Sequence, residues 1–161
     1  MKNLWAPWRI EYILSEKPSE CLFCKVLKED KDEENLILYR GERAFIIMNR
    51  FPYNNGHLMV VPNKHVPSIE YLDDDELLEL NKLVKISIEV LRKVMNPQGF
   101  NIGANIGKAA GAGIEEHFHV HIVPRWVGDT NFMPIISNTK VVVEALRETY
   151  RKLREEFKKI P

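Results

Sequence analysis

Residues 117 to 121 read His-Phe-His-Val-His and run into Ile122, Val123 and Pro124. Successive side chains of a β-strand point to opposite faces, so an extended conformation puts His117, His119 and His121 on one face and Phe118, Val120 and Ile122 on the other. Three of the chain's five histidines fall in this row. Imidazole is the one side chain whose unperturbed pKa (~6.5) lies close to neutral pH. Such a row can attack, move protons or hold a metal.

The rest of the chain is read around that strand. Residues 36–40 and 44–48 have strand composition with Gly41 between them, which predicts a hairpin, and His57 to Val61 predicts a third strand stopped by Pro62. Asn49 to Gly56, with Pro52, Asn54 and Asn55, is a loop. The clearest helix follows: Asp73 stands at an N-cap with Glu76 three residues on. Leu77, Leu80, Val84, Ile88, Leu91 and Met95 then recur at helical spacing up to Asn96-Pro97. Phe100 to Ile106 alternates as a fourth strand, 117–123 is the histidine strand, and Val142 to Phe157 is a second amphipathic helix. A short helix is expected from Cys21 to about Glu29. Residues 1–20, with Trp5 and Trp8, form an irregular arm. The expectation is an α+β domain: an antiparallel sheet of about five strands with two main helices packed on one side.

At 161 residues, one domain buries roughly 68–70% of its unfolded surface, so no disulfide framework is required. The 23 basic and 23 acidic residues cancel, leaving no bulk field to attract nucleic acid or an anionic membrane. No stretch resembles a signal peptide or reaches the ~20 apolar residues of a span, so a cytoplasmic protein is expected. Two cysteines in such a chain point to metal or redox chemistry more than to a disulfide.

Could the three alternating histidines share one metal? At ~3.3 Å per residue, His117 and His121 lie about 13 Å apart along a strand, whereas a zinc ion holds nitrogens at roughly 2.0–2.1 Å. One shared ion is strained, though a two-histidine metal site with His119 and His121 stays open. Cys21-Leu22-Phe23-Cys24 is a Cys-x-x-Cys, which fits a redox pair, half of a zinc site or two plain thiols. His65 and His117 are available to complete a closed Cys2His2 set. Gly99 to Gly113 is rich in Gly and Ala and matches neither a Walker loop nor a dinucleotide fingerprint. Its exposed N–H groups and Lys108 could still hold an anion.

The triad, together with the upstream Asn49, Pro52, Gly56, His57 and Pro62, resembles the histidine triad (HIT) superfamily of nucleotide-binding proteins, over about residues 21 to 134. The flanks Leu4-Trp5-Ala6-Pro7-Trp8-Arg9 and Pro124-Arg-Trp-Val-Gly-Asp-Thr-Asn-Phe132 look most like its bacterial diadenosine tetraphosphate phosphorylase branch, next the fragile-histidine-triad hydrolases. The resemblance implies a single HIT domain over 1–161, with a helix in segment 138–161 and a sheet continued across a homodimer, or further into a tetramer.

It also implies a division of labour. His119 attacks the α-phosphate of a dinucleoside polyphosphate and forms a nucleotidyl-histidine, which phosphate or water then cleaves. His121 contacts phosphates or the leaving group, His57 supports it, and Asn49 meets the ribose. Asn105, Lys108, Gly111, Ala112, Gly113 and Trp126 complete the substrate-facing set. Gly113 stands where the family usually has Ser or Thr, so a hydroxyl contact is lost there. Cys21, Cys24, His65 and His117 match the ligands of a structural zinc, and Mg2+ would accompany the polyphosphate. Structural zinc contributes about 10–16 kcal/mol in small peptides, against roughly 5–15 kcal/mol for a whole domain. Other activities compatible with the same residues are a nucleotide-binding sensor without turnover and an adenosine phosphoramidate hydrolase.

Overall fold

The computed structural model describes residues 19–130 and 145–161. The expected N-terminal arm, but for residues 19 and 20, and residues 138–144 of the C-terminal segment lie outside that range. Strands β1 (Ile37–Arg40), β2 (Ala44–Met48), β3 (Leu58–Pro62), β4 (Gly99–Gly103) and β5 (Val120–Arg125) make one sheet in the order β1-β2-β3-β5-β4. Every neighbouring pair is antiparallel. The helices are α1 (Leu22–Lys28), the single turn α2 (Asp32–Asn35), the long α3 (Asp74–Met95) and α4 (Leu146–Phe157). No helix among the described residues is long and apolar enough to cross a membrane.

Strands β2 and β3 are buried along their whole length. Continuous apolar runs of this kind need cover on both faces. Ala44, Ile46, Met48, Leu58 and Val60 face the larger core, shared with Leu80, Leu83 and Leu91 of α3 and Tyr150, Leu153 and Phe157 of α4. Phe45, Ile47, Met59 and Val61 face the opposite way and pack with Phe23 and Val26 of α1. The two main helices thus share one face as expected, and the short α1 covers the other. The one-turn spacing of Phe23 and Val26 lets a seven-residue helix cover the second face.

Helix α3 starts as its sequence predicts. The Asp73 carboxylate accepts the Glu76 N–H at 2.9 Å, and the Glu76 carboxylate accepts the Asp73 N–H at 2.8 Å. Its buried centre runs through Leu80, Leu83, Ser87, Val90 and Leu91, with Leu77, Val84, Ile88 and Met95 at the margin. Leu80 and Leu91 of this centre belong to the predicted repeat, whereas Leu83, Ser87 and Val90 fall outside it; the polar Ser87 has its hydroxyl satisfied by the Leu83 carbonyl at 2.8 Å. Helix α4 is described from Leu146, and its Tyr150 hydroxyl donates to the Ile37 carbonyl at 3.0 Å, tying the helix to β1.

The start of β3 and the end of β4 differ from expectation. β4 ends at Gly103, short of Ile106, and β3 begins at Leu58 because the His57 N–H turns back to the Asn54 carbonyl at 3.2 Å. Gly56 makes that turn possible with φ +76°, and a Cβ there would run into Met95 and Leu91. Gly56→Ala should cost at least about 1–2 kcal/mol from the left-handed backbone alone, with added strain against Met95. Denaturant titration checks this; an unchanged midpoint would show that the loop before His57 tolerates a side chain.

Candidate functional site

The β3–β5 register decides which histidines meet. Met59 lies opposite His121, flanked by the pairs Leu58–Ile122 and Val60–Val120. His57, two residues before Met59, shares its face, and its Nε2 lies 2.9 Å from His121 Nδ1. The histidine strand is expected over 117–123, but its ladder runs from Val120 to Arg125. His117 and His119 precede it, where the Phe118 N–H donates to the Val66 carbonyl at 2.7 Å. The alternation survives nonetheless: Phe118 and Ile122 join the larger core. His117 and His119 both meet the Phe23 ring, at centroid distances of 5.4 and 5.1 Å. His119 and His121 lie edge to face at 4.8 Å.

Hydrogen bonds to carbonyls, which only accept, assign two ring protons. His119 Nδ1 lies 2.9 Å from the His117 carbonyl, so Nδ1–H donates and the lone pair of the neutral ring is on Nε2. His117 is wired the other way: its Nε2–H donates to the Pro62 carbonyl at 2.8 Å, which leaves Nδ1 bare. Burial holds the His117 imidazole below its ordinary pKa, with His65 and His119 adding to the effect and the Pro62 carbonyl opposing it. His57, His117 and His119 are buried, at 0%, 0% and 5% exposure.

The bare Nδ1 of His117 faces a cluster. It lies 3.4 Å from Cys21 Sγ, 3.6 Å from Cys24 Sγ and 3.2 Å from His65 Nδ1, and Cys24 Sγ is 3.2 Å from His65 Nδ1. All four ligand atoms lie within 4.8 Å of one another. Bond lengths of ~2.3 Å to sulfur and ~2.0–2.1 Å to nitrogen in a tetrahedron place ligand atoms about 3.3–3.8 Å apart, so the cluster could hold a metal ion with little rearrangement. The Cys24 thiol is pushed up by burial and by Cys21 beside it, a cost that a bound cation reverses by favouring thiolate. His119 and His121 are outside this group among the described residues.

The remaining expected residues are placed less tightly. Asn49 is buried; its side-chain oxygen accepts the Phe51 N–H at 2.9 Å and its amide donates toward Met59 Sδ at 3.7 Å, so it shapes the loop before His57. Asn105 is half-buried beyond the end of β4. Lys108 is exposed in a single 3-10 turn, Lys108–Ala110, closed by Gly111 at φ +82°. Ala112 donates to the Gly107 carbonyl, and exposed Gly113 follows. Trp126 begins the turn after β5, its N–H donating to Asp129 Oδ2 at 3.1 Å.

Four contributors escaped sequence reasoning. Phe23, inside the Cys-x-x-Cys, wedges against two histidines. The Pro62 carbonyl sets the His117 tautomer. Tyr53 stacks on His57 at 5.0 Å and 15°, and its main-chain N–H donates to His57 Nδ1 at 3.1 Å. Asp129 is a hub: it accepts from Arg125 at 2.6 and 3.0 Å and from Asn54 at 2.8 Å, and Asn54 also donates to the Pro124 carbonyl at 3.0 Å. This hub joins the Trp126 turn to the loop that carries His57. Only the Val-Gly-Asp turn signal hinted at it.

Comparison with known proteins places the geometry in context. Residues 30–127 match the HIT domain. The chain is 41% identical over 170 aligned positions to an AP-4-A phosphorylase of Mycobacterium tuberculosis, spanning 100% of this chain and 87% of that one. It is 34% identical over 93 positions to the asymmetrical bis(5'-nucleosyl)-tetraphosphatase of Schizosaccharomyces pombe, spanning 58% of this chain and 50% of that one. Among solved structures, a hypothetical histidine triad nucleotide-binding protein of Sulfolobus tokodaii superposes with a TM-score of 0.67 at 31% identity, covering 86% of this chain and 92% of that one.

The Asp129 hub can be tested through acid stability. The Arg125 guanidinium holds the Asp129 carboxyl below its ordinary range. Its folded pKa lies under the unfolded value of ~3.9, so its stabilisation is present above pH ~3.9 and is lost as pH falls through the folded pKa. Asp129→Asn should cost about 1–2 kcal/mol near neutral pH, after discounting for solvent around the partly exposed Arg125, and should flatten the acid limb. A pH–stability curve parallel to that of the parent would remove the pair from this role.

Proposed function

The chain belongs to the HIT domain family, and on that premise we propose that it is an enzyme cleaving dinucleoside polyphosphates through a nucleotidyl-His119 intermediate. The observation that carries the reading is the 2.9 Å hydrogen bond from His119 Nδ1 to the His117 carbonyl. It keeps the nucleophilic lone pair on Nε2 in the neutral ring. The relatives named AP-4-A phosphorylase and bis(5'-nucleosyl)-tetraphosphatase support the substrate class.

In the first step Nε2 attacks the α-phosphorus. The P–N bond forms, and the P–O bond to the departing nucleoside polyphosphate breaks with its electron pair going to that oxygen. The imidazole becomes cationic, and the His117 carbonyl facing Nδ1–H stabilises that charge. In the second step an oxygen of inorganic phosphate or of water attacks the same phosphorus, and the P–N electrons return to Nε2; when water is the acceptor, its proton passes to solvent. Covalent catalysis divides one displacement into two easier ones. His121, backed by His57, contacts the phosphate oxygens in this scheme, and Asn49 with the 105–113 segment and Trp126 hold the rest of the substrate.

Cys21, Cys24, His65 and His117 would hold a zinc ion, which the two-sulfur, two-nitrogen donor set favours. Such an ion would be structural. This chain's own contribution is that His117 offers its ring to the cluster and its carbonyl to His119. The edge strand β4, with Ile102 exposed, is the surface through which the sheet would continue into a second copy.

Incubation with diadenosine tetraphosphate, with and without inorganic phosphate, tests the function. Phosphate-dependent release of ADP and ATP means a phosphorylase, and phosphate-independent release of AMP and ATP a hydrolase; no turnover under either condition sinks the proposal. His119→Ala should lower the rate by roughly 10³-fold or more. Metal analysis should find one zinc per chain. Cys24→Ser should lose it and lower thermal stability; a parent protein free of zinc when purified without chelator would refute the assignment.

A further inference from the structure

Tyr53 lies in the loop between β2 and β3, and its main-chain N–H donates to His57 Nδ1 at 3.1 Å. A backbone N–H can only donate, so His57 Nδ1 carries a lone pair and the single proton of the neutral ring is on Nε2. That Nε2–H lies 2.9 Å from His121 Nδ1. His121 Nδ1 must accept, which leaves the proton of neutral His121 on its own Nε2. We infer that the main-chain N–H of Tyr53, acting through His57, locks His121 in its Nε2–H tautomer, so that His121 serves the substrate as a neutral hydrogen-bond donor.

The loop is built to hold that N–H still. The Asn49 N–H donates to the His57 carbonyl at 2.9 Å, the His57 N–H to the Asn54 carbonyl at 3.2 Å, and the Phe51 N–H to Asn49 Oδ1 at 2.9 Å. Asn54 is tied to Asp129 and Pro124. The Tyr53 ring stacks on His57 at 15°, while the tautomer is set by the main-chain N–H. A second proton on His121 Nδ1 would meet the His57 Nε2–H head on.

The consequence is a pair of neighbouring imidazoles with opposite wiring. His119 has its proton on Nδ1, held by the His117 carbonyl, and its lone pair on Nε2; His121, 4.8 Å away between centroids, takes the His57 Nε2–H on Nδ1 and carries its own proton on Nε2. The corresponding ring atom is thus a nucleophile in one and a donor in the other. This functional use rests on the proposed cleavage of phosphoanhydrides, and it suits that bond. A departing phosphate oxygen keeps the electron pair of the broken P–O bond as an anion, so a hydrogen-bond donor suffices and no proton has to be delivered. Tyr53 is a positioning residue that acts through its backbone, and His57 transmits its polarity.

The test is histidine-ring ¹⁵N NMR on the full chain at neutral pH, which distinguishes the downfield, unprotonated nitrogen from the upfield, protonated one. His57 and His121 should each show a downfield Nδ1 and an upfield Nε2, and His119 the reverse. A protonated Nδ1 on His121, or averaged signals on both rings, overturns the inference. Tyr53→Ala keeps the amide and should keep both tautomers. Tyr53→Pro removes the N–H and should shift His57 Nδ1 upfield and lower kcat roughly tenfold or more, with a smaller change in KM. If Tyr53→Pro does not fold, the parent and Tyr53→Ala spectra still decide: tautomers lost in Tyr53→Ala would transfer the role to the ring and overturn it. A His121 tautomer that changes without loss of turnover refutes the functional use. The spectra need no substrate, so expected tautomers in a protein inactive on dinucleoside polyphosphates would sink the substrate assignment and leave the wiring intact.

Discussion

The hydrogen bond from His117 Nε2 to the Pro62 carbonyl orients the residue on which both halves of the site depend. With Nε2–H committed to the end of β3, the bare Nδ1 turns to Cys21, Cys24 and His65. The carbonyl of the same residue accepts Nδ1–H of His119. A buried imidazole without such a partner would carry the cost of an unsatisfied polar group, so the pairing is enforced by burial as much as by attraction. His117 therefore couples the Cys21, Cys24 and His65 cluster to His119 through one side chain and one peptide group.

The histidines are distinguished by what their second nitrogens touch. Carbonyls assign the protons of His117 and His119, and the Tyr53 N–H, through His57, assigns that of His121. Because these partners are main-chain groups on rigid elements or on a closely bonded loop, each tautomer is set before substrate arrives. Preorganised dipoles of this kind need little reorganisation during reaction. The smaller core behind them, with Phe23 against both His117 and His119, excludes water from that side.

Much of this was legible in the chain. The α3 capping box is readable because Asp73 and Glu76 bond within one turn, and the hairpin between β1 and β2 because Gly41 interrupts two apolar runs. The two-residue repeat of the triad placed Phe118 and Ile122 in the core and the histidines on the other face. Less legible were the part of the buried centre of α3 that falls outside the predicted repeat, with its self-satisfied Ser87, and the cover of the sheet's second face. A seven-residue helix carries too few residues for periodicity to reveal that Phe23 and Val26 pack on a distant sheet. The ends of β3 and β4 also differ from their apolar runs, since hydrogen bonding decides where a ladder stops.

By itself the sequence determined that His117, His119 and His121 share a face, and that two cysteines and two histidines were available as one donor set. Alternation and donor chemistry are local properties of a chain. Which nitrogen of each imidazole carries the proton was decided only by the tertiary structure. The deciding partners are the Pro62 and His117 carbonyls and the Tyr53 N–H, and a main-chain group looks the same in every sequence. Its meaning comes from where the fold aims it.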